Sequence, residues 1–226
     1  MKQTPPGDNY NAEIFGLIPG DTRRIVEAGC SNGNLARASK AARPACEYIG
    51  IEIEPEYAEL ARSVCDRVVV GDVEHLDDAT FASLFPSDCW IFSDVLEHLY
   101  DPWTMLKRLR SHIAPDGTVL ACIPNAQHWS VQWRINSGEF RYEDSGLLDR
   151  THIRWFTKTT IVELFRTAGF TIVEGMARVL TPADPQWRDR ALVGVRAMAE
   201  ATRTDADVAM ENANAFQWIV RAMPTP

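Results

Sequence analysis

The sequence is short of positive charge. Its 23 lysines and arginines face 31 aspartates and glutamates, leaving a net charge of -8. A phosphate backbone is normally met by clustered Lys and Arg. Here the basic residues are scattered, and the densest group (Lys107, Arg108, Arg110) reads as one solvated helix face, so no nucleic-acid partner is expected. A local basic pocket for a small phosphorylated substrate stays open. Cysteine is scarce and odd in number: Cys30, Cys46, Cys65, Cys89 and Cys122 lie mostly in apolar segments, with no Cys-x-x-Cys spacing. That excludes the usual structural zinc site and points to buried free thiols in a reducing cytoplasm. No apolar run is long enough to cross a bilayer, and Met1–Tyr10 is polar and proline-rich without a signal region. The expectation is a cytoplasmic protein with no membrane partner. Internal repeats and low-complexity tracts are absent too, which excludes a solenoid.

What is present suits one buried core. With 226 residues, 46% of them hydrophobic and 24% charged, residues 1–226 read as a single domain rather than a disordered or fibrous chain. After a short helix at Asn11–Leu17, strand-like and helix-like segments alternate. Strands are expected at Arg24–Ala28, Tyr48–Ile53, Arg67–Val70, Cys89–Ser93 and Thr118–Ile123. Helices are expected at Asn34–Ala42, Pro55–Cys65 and Pro102–Ile113. Such alternation implies parallel strands with right-handed helical crossovers, a Rossmann-like doubly wound α/β sheet. Asn125–Thr151 breaks the rhythm: it is long, aromatic, charged and without clear period, so residues 125–157 are read as a substrate lid over the sheet's carboxyl edge. Lys158–Ala168 then reads as a helix and Phe170–Met176 as a sixth strand. A helical insertion over 182–213, including Gln186–Ala201 and an acidic stretch, precedes a seventh, antiparallel strand at Ala215–Ala222.

Chemistry gathers at the expected strand ends. Glu27-Ala28-Gly29-Cys30-Ser31-Asn32-Gly33 joins the first strand to the first long helix, where a tight turn and close approach of backbone to ligand call for glycine. It is not Gly-x-Gly-x-x-Gly, so a nicotinamide or flavin enzyme is disfavoured. Glu52 ends the second strand, where a carboxylate can accept from both hydroxyls of a ribose. Asp72 and Val73 end the third, offering an acceptor for an adenine amino group beside an apolar wall. Each has a bland alternative, Glu52 as a surface carboxylate and Asp72 as a turn residue. Glycine, acid and acid at three successive strand ends favour a nucleoside.

On these residues the chain resembles the class I S-adenosylmethionine-dependent methyltransferases, over Tyr10–Met176 and more weakly Ala215–Ala222. Glu27 to Gly33 resembles their first motif, with Ser31 in place of its middle glycine. The resemblance implies S-adenosylmethionine as cofactor and S-adenosylhomocysteine as product, with Glu27, Gly29, Ser31, Gly33, Glu52, Asp72, Val73 and Asp94 around it. Glu27 would orient the methionine end through the loop. Ser93-Asp94-Val95-Leu96-Glu97-His98-Leu99-Tyr100-Asp101-Pro102 resembles the ubiquinone-biosynthesis-type branch, which methylates small molecules. Ile123-Pro124-Asn125 and Gly146–Thr157 are similar to a bacterial subgroup that accompanies glycan or natural-product assembly, which favours a hydroxylated acceptor.

A sugar hydroxyl needs a base to take its proton as it attacks, and histidine's pKa suits that task. His98 and His152 fall where the methyl group should emerge. Their alternatives are a helix-start residue bonded to a carbonyl or Glu97, and a lid clamp fixed by Asp149. His75, His112 and His128 read as a surface loop, an exposed helix face and a lid residue. Glu97 and His98 with Asp94 could instead hold a divalent metal, but adjacent residues rarely reach one ion, so no metal is expected. Trp129, Trp133 and Tyr142, with Trp155, could stack on the acceptor or form a lid core. Arg134 and Arg154, with Arg150, could grip an anionic group or pair with Glu139, Glu143 or Asp144. N- or C-methylation, a protein substrate and a catalytically silent scaffold partner are the competing functions. A homodimer is compatible with the sequence.

Overall fold

A computed structural model describes residues 7, 9–181 and 184–226. It opens with α1 (Ala12–Leu17), capped by the Asn11 side chain, which accepts the Ile14 N–H at 3.0 Å. There follow β1 (Arg24–Ala28), α2 (Asn34–Ala42), β2 (Glu47–Glu52), α3 (Pro55–Ala61), β3 (Arg67–Val70), α4 (Asp78–Ala82) and β4 (Cys89–Ser93). A single 3-10 turn at Leu96–His98 leads to α5 (Pro102–Arg110), β5 (Thr118–Pro124), α6 (Trp129–Ser137) and α7 (Lys158–Thr167). The chain closes with β6 (Phe170–Arg178), α8 (Pro185–Ala201), α9 (Ala206–Asn214) and β7 (Gln217–Pro224).

The seven strands make one sheet in the order β3-β2-β1-β4-β5-β7-β6. β1 pairs in parallel with β2 and β4, and β7 runs antiparallel to both β5 and β6. This is the Rossmann-like, mostly parallel sheet with an antiparallel last strand that the alternation predicted. Its central strands are buried on both faces, and the two-residue side-chain period divides them. Val26, Ile49, Ile51, Phe92 and Val119 pack on one side, and Ile25, Tyr48, Ile91 and Leu120 on the other. All five cysteines are free, buried and on that second side. No described helix is long and apolar enough to cross a membrane.

Connections after β1 run to β2 and β3 on one side, and after β4 to β5 on the other. The crevice between β1 and β4 is thus a topological switch point, where open α/β sheets bind ligands at the strands' carboxyl ends.

The segment expected to be irregular contains α6. The His128 Nδ1 caps its start, accepting the Ser130 N–H at 3.4 Å, and Gly138 ends it at φ 75°. Trp129 packs with Leu192, Val195 and Ala213 in a small second core shared with α8 and α9. The acidic stretch forms α9, started by Asp205, whose side chain accepts the Asp207 and Val208 N–H groups. Of the helical insertion drawn over 182–213, residues 182 and 183 lie outside the described residues. Asn125 is fully buried and ties these parts together: its amide nitrogen donates to the Asn212 and Ala215 carbonyls, both at 2.7 Å.

Candidate active site

The loop after β1 is built from residues that tolerate left-handed backbone. Gly29, Ser31 and Gly33 have φ of 69°, 51° and 79°. Serine at the middle position therefore takes the conformation a glycine would favour, at a cost of about 1–2 kcal/mol. Its amide is used: Ser31 N–H donates to Glu52 Oε2 at 2.8 Å. A Cβ on Gly29 would stand 2.7 Å from Val95 Cγ2, and one on Gly33 2.5 Å from Val64 Cγ2 and 3.2 Å from Ala61 Cα. The loop is held close to α3 and to the strand end after β4. Gly33→Ala should therefore cost about 2–4 kcal/mol of stability, combining left-handed strain with overpacking. Chemical denaturation should show a lower midpoint at unchanged slope, and an unaltered midpoint would mean that the loop can open.

Glu52 is 1% exposed, and its other oxygen accepts the Glu54 N–H at 2.9 Å. Two amides thus fix the carboxylate while each oxygen keeps a lone pair for a further donor. Asp72 accepts the Glu74 N–H at 2.9 Å and pairs with the exposed His75 at 2.8 Å. Glu27 lies beneath the loop, where the Tyr48 hydroxyl donates to it at 2.8 Å. Burial, opposed by that hydrogen bond and aided by the Glu52 charge, pushes the Glu27 pKa up to about 8. Asp94 holds a left-handed φ of 57° and is pinned from two sides, by the Ser93 hydroxyl at 3.2 Å and by the Gln217 side-chain amide.

One cavity of ≈ 580 Å³ joins these strand ends. Gly29, Ser31, Glu52, Asp72, Val73 and Asp94 line one part, and His98, Asp149 and His152 another. Glu27 lines a smaller adjoining pocket with Gly29 and Ser31. Gly33 lines neither and acts instead as the left-handed start of α2. A nucleoside fits this set: glycine backbone without Cβ on one wall, an anchored buried carboxylate at the end of β2, and Val73 as an apolar floor.

The two histidines face each other, with ring centroids 4.8 Å apart and planes at 69°. His98 Nδ1–H donates to the Thr151 carbonyl and His152 Nδ1–H to the Leu147 carbonyl, both at 3.1 Å. A carbonyl can only accept, so each neutral ring carries its lone pair on Nε2. Burial holds His98 below its ordinary pKa, and burial with the neighbouring His98 does the same for His152. Behind them lies Glu97, 1% exposed, with Oε1 3.9 Å from His152 Nε2 and neither oxygen hydrogen-bonded. Burial, Asp94 and Asp149 push its pKa well up. One ligand-type atom from each of Glu97, His98 and His152 lies within 4.8 Å of the others, so the metal alternative involves His152 rather than Asp94.

The structure does not bring the five expected acceptor residues to the cavity. Trp129 is buried in the second core, and Trp133 packs edge-on against Trp187 at 4.9 Å. Arg134 pairs with Glu143 at 2.7 Å, and Arg150 with Asp144 at 2.5 Å. Tyr142 is exposed and touches Phe140, while Arg154 donates to the Tyr100 carbonyl. Of residues 125–157, the part that lines the cavity is Ser145–Leu147, Asp149, Thr151 and His152, with Pro124 just before it. Tyr100 also lines it, as do Phe216 and Gln217, which carried no sequence signal of their own.

The chain is similar to known proteins in sequence and in fold. A family model described as a methyltransferase domain matches residues 9–175. A ubiquinone biosynthesis O-methyltransferase of Cereibacter sphaeroides is 23% identical over 182 residues, covering 79% of this chain and 72% of that enzyme. A solved SAM-dependent methyltransferase from Archaeoglobus fulgidus superposes with a TM-score of 0.62 at 16% identity, covering 94% of this chain and 91% of the other. The O-methyltransferase of a Brevibacillus brevis trans-AT polyketide synthase, solved with S-adenosyl-L-homocysteine, gives 0.59 at 14% identity, with 95% and 71% covered.

Proposed function

Because the chain belongs to the methyltransferase-domain family, we propose that it transfers a methyl group from S-adenosylmethionine to a hydroxyl of a small acceptor, a sugar or natural product. The carrying observation is that the anchored Glu52 and the His98–His152 pair open onto one cavity. When bound, S-adenosylmethionine supplies an electrophilic methyl group on sulfur. Glu52 receives the ribose hydroxyls, Asp72 and Val73 the adenine, and the Gly29–Ser31 backbone with Glu27 the methionine end. Asp94, which lines the same cavity and is held by Ser93 and Gln217, would meet the cofactor at the end of β4.

His98 or His152 takes the hydroxyl proton on Nε2 as the oxygen attacks, while the Thr151 and Leu147 carbonyls hold the tautomer. Holding the reactants in line supplies much of the acceleration, and the base supplies the rest. We further propose that residues 125–157 act as the lid through their cavity-lining half, excluding water from the base, and that the insertion over 182–213 braces α6 from behind. Transfer of labelled methyl to a panel of sugars and phenols, with the product's linkage read by mass spectrometry, tests the reading. Label on nitrogen or carbon alone would overturn hydroxyl methylation.

The clustered Glu97, His98 and His152 also allow a metal-assisted reading, in which an ion polarises the hydroxyl. The general-base reading needs no ion, because a neutral imidazole takes the proton directly. Methyl transfer should therefore survive excess chelator. Loss of activity in chelator, restored by magnesium, would make Glu97 and the histidines ligands instead.

A further inference from the structure

The histidine end of the cavity holds the carboxylate of Asp149. No lysine or arginine is among the described residues that line the cavity. The arginines nearby are engaged elsewhere: Arg134 on Glu143, Arg150 on Asp144, Arg154 on the Tyr100 carbonyl and Arg178 on Glu13 at 3.4 Å. Asp149 faces inward and is 7% exposed. Its Oδ1 accepts the Thr151 amide at 2.7 Å and the Thr151 hydroxyl at 2.6 Å, and its Oδ2 has no hydrogen-bond partner among the described residues. Burial works against its charge, but the Thr151 donors, with His152 and His98 nearby, overcome it and hold its pKa below the ordinary value. Beside it the Glu97 side chain is almost fully buried and unpartnered. Glu52 and Asp72 belong to the nucleoside end, so they do not account for Asp149.

Resting on the methyl-transfer reading of this cavity, we propose that the acceptor carries a protonated amine close to the methylated hydroxyl, recognised by Asp149 Oδ2, and that carboxylated and phosphorylated acceptors are excluded. A buried carboxylate with a free lone pair is satisfied by a cationic donor and repels an anion in a medium of low dielectric. An ammonium group near the hydroxyl also makes that hydroxyl more acidic, which eases its deprotonation by a neutral imidazole. This class includes amino sugars and aminoalkyl phenols.

The test uses three probes of one shape, benzylamine, benzyl alcohol and benzoate, binding to the full chain loaded with S-adenosylhomocysteine, followed by ligand-observed NMR. Benzylamine should bind at least about tenfold more tightly than benzoate, with benzyl alcohol between. The preference should collapse in Asp149→Asn, which keeps the Oδ1 acceptor for Thr151. It should also shrink as salt rises in the wild type, a measurement that stands even if the variant folds poorly. Benzoate binding as well as benzylamine, an undiminished preference in the variant, or no binding by any probe would each overturn the proposal. Turnover is not read, so failure of the general-base reading is seen separately, in the activity of the histidine variants.

Discussion

Alanine in place of the true base, His98 or His152, lowers turnover by roughly two to four powers of ten while affinity for S-adenosylhomocysteine stays intact. The expectation follows from placement. Both rings line the cavity, both have Nδ1 committed to a backbone carbonyl, and both keep a lone pair on Nε2. Their ring hydrogen bonds go to the Thr151 and Leu147 carbonyls and not to Glu52, Asp72 or Asp94, so the loss should fall on rate rather than cofactor binding. The pH dependence has a definite sign. A base works only when neutral, and both pKa values are displaced downward from 6.5. Turnover should therefore be flat through neutrality and fall only as pH drops below 6.5, and the variant lacking the base should lose that lower limb. The two rings touch, so a double variant combining His98→Ala with His152→Ala separates a shared role from a single base. If neither single variant nor the double costs even about tenfold in turnover, histidine is not the base.

Glu52→Ala should weaken S-adenosylmethionine binding by one to two powers of ten, about 1.5–3 kcal/mol, through loss of a bidentate contact to the ribose. The side chain has a second duty that makes the effect larger rather than smaller. It anchors the glycine loop by accepting the Ser31 amide, and it anchors the start of α3 by accepting the Glu54 amide. Glu52→Gln separates the two. It keeps an oxygen for one amide but loses charge and one acceptor, so it should fall between wild type and alanine. Calorimetry showing wild-type affinity in Glu52→Ala would remove Glu52 from the ribose and with it the orientation assigned to the cofactor.

How far the sequence foretold this molecule depended on where the information lay. The first five strands follow from apolar runs that report burial on both faces, and their bounds moved by no more than a residue or two. Glu52, Asp72 and the glycine loop were legible because strand ends of a doubly wound sheet must meet at one edge. The short α4 was not expected, because five residues are too few to show a helical period. α6 was hidden for a different reason. Its apolar face, with Trp129, is covered by α8 and α9, which arrive some fifty residues or more later in the chain. Trp129 and Trp133, for which acceptor stacking and a lid core were both open, therefore lie at the seam of a second core. Arg134 and Arg150 found acidic partners within the same segment, the plainer of the two options open to them. Gln217 could not have been singled out, since only the antiparallel return of β7 beside β5 brings it to Asp94.

A crystal structure of the complex with S-adenosylhomocysteine tests most directly whether one cavity holds the nucleoside on Glu52 and presents the reacting sulfur to the histidine pair. Both ribose hydroxyls should be hydrogen-bonded to the Glu52 carboxylate, with the adenine against Val73 and the sulfur turned toward His98 and His152. A ribose placed away from Glu52, or a sulfur facing out of the cavity on the side opposite the two imidazoles, would contradict it.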